Sequence, residues 1–235
     1  MVTVVVCTMR PSYIDNVFDN YHRQSWKEKE LMIILNKDDM DIGEWYERAK
    51  DHKDIVVYQL PQEYTLGKCL NWAIKRASHS IIAKFDDDDY YGPDYLKESM
   101  HAMKKKKAPI VGKTTCYMYF EAENALMLFR KGREKQYRPK IKGGTLLFKR
   151  SVWDKVKFPE NRISGSDARW LLNCGKAGFK VYSVSKNNYV CVRRGDLTTH
   201  TQKKSTSNYM AACQMIAFTS DFIPLITKRF KSNKD

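Results

Sequence analysis

Long hydrophobic runs are missing from this chain of 235 residues. No stretch approaches the roughly 18 apolar residues that a membrane-spanning helix needs. The apolar segment at residues 2–7 is short and has no basic stretch before it, so it predicts a buried β-strand and not a secretory signal. We therefore expect a cytoplasmic protein.

Closely spaced cysteine pairs are also missing. The chain has six cysteines, and none of them forms a C-x-x-C pair. This spacing argues against a disulfide scaffold and against a structural zinc site, and it favours reduced thiols. With 43% hydrophobic and 12% aromatic residues, the chain has the composition of a folded globule.

Acidic residues are scarce in the second half of the chain. Residues 101–150 carry 14 Lys or Arg and only 3 Asp or Glu, whereas residues 1–100 carry 13 and 18. The favoured interpretation of the run Lys104–Lys107 is a solvated helix end. The alternative is attraction to a polyanion, which could be an acidic polymer, an anionic membrane face or nucleic acid. No nucleic-acid recognition motif accompanies the charge, so nucleic acid is disfavoured.

The hydrophobic pattern of the first hundred residues alternates between strands and helices. Strands are predicted at residues 2–7, 30–35, 54–60 and 80–85. Ser12 is expected to cap the first helix. The alternation predicts an α/β fold whose mainly parallel central sheet is covered by helices on both faces. Ligands of such sheets bind at the carboxyl ends of the strands.

The second half has a more mixed pattern. Residues 109–129 predict two strands, residues 166–177 predict a helix, and the tail from about Asn208 is predicted to be helical. No repeat or linker interrupts the chain, so we expect one domain over residues 1–235. Residues 216–235 join apolar residues to a basic end. A docking helix is the preferred interpretation, with peripheral contact to an anionic membrane as the alternative.

Four consecutive aspartates, Asp86–Asp89, directly follow the fourth predicted strand. As free anions they repel one another. A hard divalent cation resolves this repulsion, because Mg²⁺ and Mn²⁺ take oxygen ligands from carboxylates and phosphates together. The alternative is an Asp-rich helix start, which the helix dipole favours and which suits Asp89 best. The position at the predicted ligand edge favours the metal.

The acidic segment IIAKFDDDDYYGPDYL resembles the LDxDDxxxPxYL stretch of family 2 glycosyltransferases, which have the GT-A fold. Further segments agree in the same order: VVVCTMRPSYIDNVFDNYHRQSW, YTLGKCLNWAIKRASHSIIAKF, KGGTLLFKRSVWDKV and GSDARWLLNCGKAGFKV. The likeness covers roughly residues 2–195. It implies a nucleotide-binding half at 1–100, an acceptor-side half at 101–206 and a helical tail at 207–235.

The resemblance implies a site for a nucleotide-diphosphosugar at the strand ends. The residues expected to contact the nucleotide are Thr8, Arg10, Asn36, Asp38, Gly67, Lys68, Asn71, Asp86 and Asp87. Asp88 is expected to hold a Mn²⁺ or Mg²⁺ ion that bridges the two phosphates, with Asp86 as a second ligand. Asn36 stands near the place where the family usually has an acidic residue facing the base, which leaves the choice of base open.

Asp167 matches the catalytic carboxylate of the family's ED pair, with Ser166 in place of the usual Glu. The resemblance implies inverting transfer, in which this carboxylate takes the proton of the acceptor hydroxyl. The alternative is a carboxylate at a helix start, capped by Ser164 or Ser166.

One further residue of the metal and diphosphate site is expected in the segment RRGDLTTHTQ. His200 is the candidate metal ligand there. Arg193 and Arg194 are the alternatives for completing the site.

The leading hypothesis is therefore an inverting, metal-dependent glycosyltransferase that uses a nucleotide-diphosphosugar, with UDP favoured by family habit. A glycan or acidic polymer is the expected acceptor, and the family's common use suggests bacterial envelope or spore-surface polysaccharide assembly. A nucleotidyltransferase is the second hypothesis, although CTMRPSY lacks the glycine-rich signature of those enzymes. The third is a non-catalytic basic binding protein on the same fold.

Overall fold

The structure, a computed structural model, describes residues 1–196 and 205–231. Strands and helices alternate through the first hundred residues, as the hydrophobic pattern predicts. The strands of this part are β1 (Val2–Thr8), β2 (Lys29–Leu35), β3 (Ile55–Gln59), β4 (Ile81–Asp86) and β5 (Tyr90–Tyr91). The helices are α1 (Ile14–His22), α2 (Ile42–Ala49), α3 (Leu66–Arg76) and α4 (Tyr95–Lys105).

Strands are more frequent in the second half. They are β6 (Ile110–Gly112), β7 (Cys116–Phe120), β8 (Ala125–Phe129), β9 (Gln136–Tyr137), β10 (Leu147–Lys149), β11 (Val181–Ser183), β12 (Tyr189–Arg193) and β13 (Cys213–Phe218). The helices are α5 (Arg150–Lys155), α6 (Ser166–Lys176), α7 (Thr206–Met210) and α8 (Ile223–Ile226). Two 3₁₀ turns occur at Pro11–Tyr13 and Gly143–Thr145.

The larger sheet has the strand order β3-β2-β1-β4-β10-β6-β11-β9. Its first four strands run parallel to one another. Strand β10 is antiparallel to both of its neighbours, and β11 pairs with β6 in parallel. The predicted α/β fold with a mainly parallel sheet is therefore confirmed.

Helices cover both faces of this sheet because alternate residues of each strand point to opposite sides. Val4 of β1 belongs to a buried cluster that includes residues of α1, α2 and α4. Its neighbour Val5 belongs to a second cluster, which includes residues of α3, α5 and α6. A strand that is buried on both faces is a near-continuous apolar run, as VTVVVC is.

A second sheet has the strand order β13-β8-β7-β12-β5, and all of its strands except β5 come from the second half of the chain. It corrects the predicted helical tail at 207–235, because β13 lies in that range and pairs antiparallel with β8. The segment CQMIAF is a short uncharged run, and periodicity alone does not separate helix from strand in such runs. The hydrogen bonds that this segment makes to the edge of β8 favour the strand over the helix.

Two smaller predictions also need correction. Ser12 does not cap α1, because Pro11 starts a 3₁₀ turn and the helix begins after Tyr13, whose side chain makes no capping hydrogen bond. Residues 109–129 form three strands and not two. Among the described residues, no helix is both long and apolar enough to cross a membrane.

Candidate active site

A cleft of about 1630 Å³ opens at the carboxyl ends of the parallel strands. The ends of β1, β2 and β4 contribute Thr8, Asn36 and Asp86–Asp89 to its lining, and the start of α6 contributes Asp167. The parallel topology explains this arrangement, since each of these strands delivers its last residue to the same edge. The cleft lies where the sequence predicts a ligand site.

Asp87 is held by the loop that follows β1. The hydroxyl of Thr8 donates to Asp87 Oδ2 at 2.5 Å, and Arg10 Nε donates to the same oxygen at 3.0 Å. A second Arg10 nitrogen donates to Asp87 Oδ1, which makes the pair bidentate. Bidentate arginine–carboxylate pairs fix geometry as well as charge. The loops after β1 and β4 are therefore joined at this carboxylate.

Asp88 is neutralised by two arginines. Arg194 Nη1 donates to Asp88 Oδ2 at 2.5 Å, and Arg10 Nη1 lies 3.0 Å from the same oxygen. Burial favours the protonated form of Asp88, but the two guanidinium groups outweigh it and lower its pKa. Both guanidinium groups also lie over the ring of Tyr13, 4.9 Å and 5.4 Å from its centroid. The repulsion within the acidic run is thus offset by the protein's own cations.

Lys84 connects the acidic run to the predicted catalytic carboxylate. Its ammonium donates to Asp86 Oδ1 and lies 3.3 Å from Asp167 Oδ2. Only 4% of this side chain is exposed, and although burial disfavours its charge, Asp167 and Asp86 raise its pKa. The sequence analysis missed Lys84. The signal was a lone charge inside the apolar strand IIAKF, because lysine is almost never fully buried without a partner.

Asp167 has the environment of a proton acceptor. Its Oδ1 atom is buried and accepts no hydrogen bond from the residues that the structure describes. Burial raises the pKa of Asp167 and Asp86 adds to the rise, while Lys84 opposes it. The predicted caps are not seen, since α6 has no side-chain capping hydrogen bond and the Ser166 hydroxyl is buried without a partner. An unpaired carboxylate oxygen in a cleft is a feature of functional sites.

Two glycines let the backbone approach these carboxylates. A Cβ atom on Gly143 would lie 2.3 Å from Asp167 Oδ2, and one on Gly144 would lie 2.6 Å from Asp86 Oδ2. Contacts under 3.0 Å force the neighbouring atom to shift, so a side chain at either position would displace the carboxylate that lies against it. The hydroxyl of Tyr91 donates to the Gly144 carbonyl at 2.5 Å and holds this segment in place. The two consecutive glycines of the segment KGG are the feature of the sequence that indicates this close approach.

Asp89 has a different position from the other three aspartates. It accepts hydrogen bonds from the Tyr189 hydroxyl at 2.5 Å and from the Val192 amide at 3.1 Å. Burial, followed by repulsion from Asp88 and Asp86, raises its pKa to about 8. Asp89 therefore ties the acidic run to β12 of the second sheet, and it is not part of a helix start.

The donor set of Asp86 and Asp88 fits a hard cation. Lys84 binds Asp86 Oδ1, and Arg10 and Arg194 bind Asp88 Oδ2. The other two oxygens, Asp86 Oδ2 and Asp88 Oδ1, accept no hydrogen bond from the described residues. Within residues 1–196 and 205–231, no three His, Cys, Asp or Glu side chains are placed to hold a metal by themselves. Mg²⁺ is commonly held by one or two carboxylates together with substrate phosphates. His200 lies outside the described residues.

The remaining predicted nucleotide contacts fall into two groups. Asn36 lines the cleft and donates to the Pro61 carbonyl at 2.7 Å, and Asp38 accepts from the Gln62 amide at 3.1 Å behind it. Asp38 itself is not among the described residues that line the cleft.

The residues at the start of α3 pack elsewhere. A Cβ on Gly67 would lie 2.0 Å from the Pro159 carbonyl oxygen, so this glycine is required by helix packing. Asn71 donates to the Phe158 carbonyl at 2.9 Å, and Lys68 Nζ lies 3.5 Å from the centre of the Tyr64 ring. None of these three predicted contacts lines the described cleft, whereas Tyr64 does.

Comparison with known proteins agrees with this site. Residues 3–157 match the sequence profile of glycosyl transferase family 2. Over 120 residues the chain is 29% identical to the O-antigen biosynthesis glycosyltransferase WbnJ of Escherichia coli, a match that covers 48% of this chain and 45% of that protein. The chain thus spans about half the length of this curated relative.

Solved structures share the fold. TarS 1-349 of S. aureus, in complex with UDP-GlcNAc, has a TM-score of 0.68 at 17% identity over 87% of this chain and 61% of that chain. The mannosyltransferase PcManGT from Pyrobaculum calidifontis, in complex with GDP-Man and Mn²⁺, has a TM-score of 0.64 at 18% identity over 89% and 59%. Because the family profile matches well over half of the chain, the protein belongs to glycosyl transferase family 2 and has a fold of the GT-A type.

Proposed function

We propose that this protein is an inverting, metal-dependent glycosyltransferase that moves a sugar from a UDP-sugar to a hydroxyl group of a glycan or polymer. The observation that carries the proposal is the contact of Lys84 with both Asp86 and Asp167 inside one cleft. Asp86 belongs to the acidic run at the expected donor position, and Asp167 is suited to proton transfer. Family membership supports the nucleotide-sugar chemistry.

The donor side stabilises negative charge. Arg10 and Arg194 converge on Asp88 from the loop after β1 and from the end of β12. A diphosphate leaving group next to them gains charge in the transition state, and preorganised guanidinium groups stabilise that charge without reorganisation. A Mn²⁺ or Mg²⁺ ion, when bound by Asp86 and Asp88, supplies Lewis-acid stabilisation of the same leaving group.

The acceptor side supplies the base. The acceptor hydroxyl gives its proton to Asp167 as its oxygen attacks the anomeric carbon on the face opposite the diphosphate, which inverts the configuration. Burial raises the pKa of Asp167, which strengthens it as a base, while the Lys84 ammonium opposes this rise and favours the ionised form. The Gly143 backbone lies close to the same carboxylate and limits the positions that it can adopt.

The choice of UDP has weaker structural support than the chemistry. Asn36, the expected neighbour of the base, lines the cleft and donates its amide N–H to the Pro61 carbonyl, so its own carbonyl oxygen is proposed to accept from a ring N–H group. Uracil, thymine and guanine all have such a group. TarS was solved with UDP-GlcNAc and PcManGT with GDP-Man, so the carrier is a question for direct measurement.

The test is calorimetric titration of UDP, dTDP and GDP into the protein, first with Mn²⁺ and then with chelator. We expect one nucleotide to bind at least tenfold more tightly with the metal than without it. The matching sugar nucleotides are then screened for slow hydrolysis without acceptor. A folded sample that binds none of the three nucleotides contradicts the proposal and leaves a binding protein that has kept the fold.

A further inference from the structure

One wall of the cleft is rich in cations. The residues that form this basic wall are Arg130, Arg138, Lys140, Lys176 and Lys180. They come from the segment that contains β9 and from the end of α6 with the strand that follows it. The acidic run lines the same cleft. The observed ion pairs of the acidic run in the described part of the chain involve Arg10, Lys84 and Arg194, and not the residues of the basic wall.

No carboxylate of the described residues neutralises the basic wall. The observed ion pairs include none of its five residues, and Glu134, the one acidic residue of the segment 130–142, is bound to Lys186 at 3.1 Å. Arg138 donates through Nη2 to Gln136 at 2.7 Å, while its buried Nε atom has no hydrogen-bond partner within residues 1–196 and 205–231. A buried N–H without an acceptor is costly and calls for a ligand oxygen.

The basic wall is connected to the catalytic carboxylate through the backbone. The Arg138 amide donates to the Val181 carbonyl at 2.9 Å, which fixes the segment beside β11. From Arg138 the chain continues to Gly143, which touches Asp167. Five residues of extended chain span at most about 18 Å. One extended ligand can therefore contact both Asp167 and the basic wall.

From this arrangement we propose that the acceptor is an anionic glycan, with phosphodiester or carboxylate groups that lie on the basic wall while its hydroxyl reaches Asp167. The inference rests on the proposed function and names the class of acceptor. Each anionic group finds a cation that has no competing carboxylate in the described part of the chain. Such charge-assisted hydrogen bonds are shorter and stronger than neutral ones.

A glycan fits the wall better than a membrane or a nucleic acid. The cations lie in a concave cleft beside Asp167, where a flat bilayer surface does not reach. Proteins that bind single-stranded nucleic acid add aromatic rings on which bases stack. Tyr137 is the exposed ring of this segment, but its hydroxyl donates to the Lys106 carbonyl at 2.9 Å and its ring packs edge-on against Tyr182.

The test compares phosphorylated dextran with unmodified dextran of the same length as ligands of the whole chain. The variant Arg138→Gln/Lys140→Gln/Lys176→Gln removes three charges of the basic wall. The control Lys53→Gln/Lys97→Gln/Lys149→Gln removes three exposed charges outside the cleft. We expect the wall variant to bind phosphorylated dextran about tenfold or more weakly than the wild type, and the control to bind within about twofold.

UDP binding with Mn²⁺ is measured on the same three samples, so that failure of the donor site is seen separately from failure of the basic wall. Equal loss in both triple variants, or no preference for phosphorylated over unmodified dextran, overturns the proposal. Tighter binding of a single-stranded oligonucleotide or of phosphatidylglycerol vesicles than of phosphorylated dextran also overturns it. Nucleotide binding that is unchanged in the wall variant, together with selective loss of phosphorylated dextran, supports it.

Discussion

The acidic run and the basic wall of the cleft differ in whether their charges are neutralised within the protein. In the acidic run, at the expected donor position, Asp87 and Asp88 are each bound by arginine, so their charges are neutralised inside the protein before any ligand arrives. On the basic wall, Arg138 and Lys140 have no carboxylate partner among the described residues. A neutralised cluster holds a fixed geometry, which suits catalysis, whereas unbalanced cations suit a ligand that brings its own charge.

The largest expected effect comes from removing the base that lies between the two sides. Asp167→Asn keeps the shape of the side chain but does not accept a proton. We expect kcat for sugar transfer to fall by about 10²- to 10⁴-fold, while UDP binding with Mn²⁺ changes little. Asp154→Asn, an exposed substitution on α5, is the matched control and is expected to keep wild-type kcat.

Two outcomes of that comparison are informative. Retained transfer activity in Asp167→Asn contradicts the role of Asp167 as the base. Loss of UDP binding in the same variant means that the carboxylate organises the donor side through Lys84, which contacts both Asp167 and Asp86.

Next in size is the effect of Asp88→Ala on the neutralised side. We expect the increase in UDP affinity that Mn²⁺ provides to shrink by about tenfold to hundredfold. Binding without metal is expected to stay the same or strengthen, because Arg10 and Arg194 lose a carboxylate that competes with the diphosphate. Titration with and without chelator measures both.

Asp39→Ala removes the same charge from an exposed position near this edge and serves as the control for Asp88→Ala. Equal changes in the two variants would mean that net charge, and not the position of Asp88, sets the affinity.

A smaller effect is expected at the glycines. Gly143→Ala places a methyl group 2.3 Å from Asp167 Oδ2, so we expect a lower kcat and a lower melting temperature. Gly175→Ala is the matched control, since a Cβ there meets nothing within 4 Å and the residue lies within α6. It is expected to raise the free energy of unfolding by about 0.5–1 kcal/mol. Similar stabilities of the two variants contradict the close approach of Gly143.

The smallest expected effect is at His22, at the end of α1, and it concerns the pH dependence of the free energy of unfolding. Partial desolvation of the imidazole, and then the nearby His52 and Lys29 side chains, lower the pKa of His22. Below the unfolded pKa of about 6.5 the unfolded chain binds a proton that the folded chain resists, so stability falls as the pH decreases. His22→Gln should flatten this decrease slightly, because His22 is exposed.

Melting temperatures between about pH 7.5 and pH 5.5 test the His22 prediction. The decrease should be shallower in His22→Gln than in the wild type and unchanged in His101→Gln. A steeper decrease in His22→Gln contradicts the sign.

Local sequence patterns located the site, because the end of a buried strand is readable from periodicity. The run Asp86–Asp89 after β4 and the order of strands in the first half needed no long-range information. The partners of these aspartates did need it. Arg194 lies 106 residues from Asp88, and no local pattern reports such a contact.

The misses have physical causes of their own. Repulsion within the acidic run predicted a metal ion, which stays a prediction, but it did not reveal Arg10, Arg194 and Lys84 as further neutralising charges. Gly67 matched a nucleotide-binding motif, but its lack of a side chain serves contact with Pro159. A glycine signals close approach without telling which group approaches.

Lys84 links the expected donor position to the expected acceptor position, because it contacts a carboxylate of each. One ammonium group is shared by Asp86 and Asp167, so a donor that engages Asp86 leaves Lys84 to Asp167 alone. A nearby lysine ammonium favours the ionised form of a carboxylate. By linkage, the influence between the two sites is mutual. With Asp86 at the proposed donor position and Asp167 as the proposed base, binding of a sugar nucleotide is therefore expected to alter the basicity of Asp167.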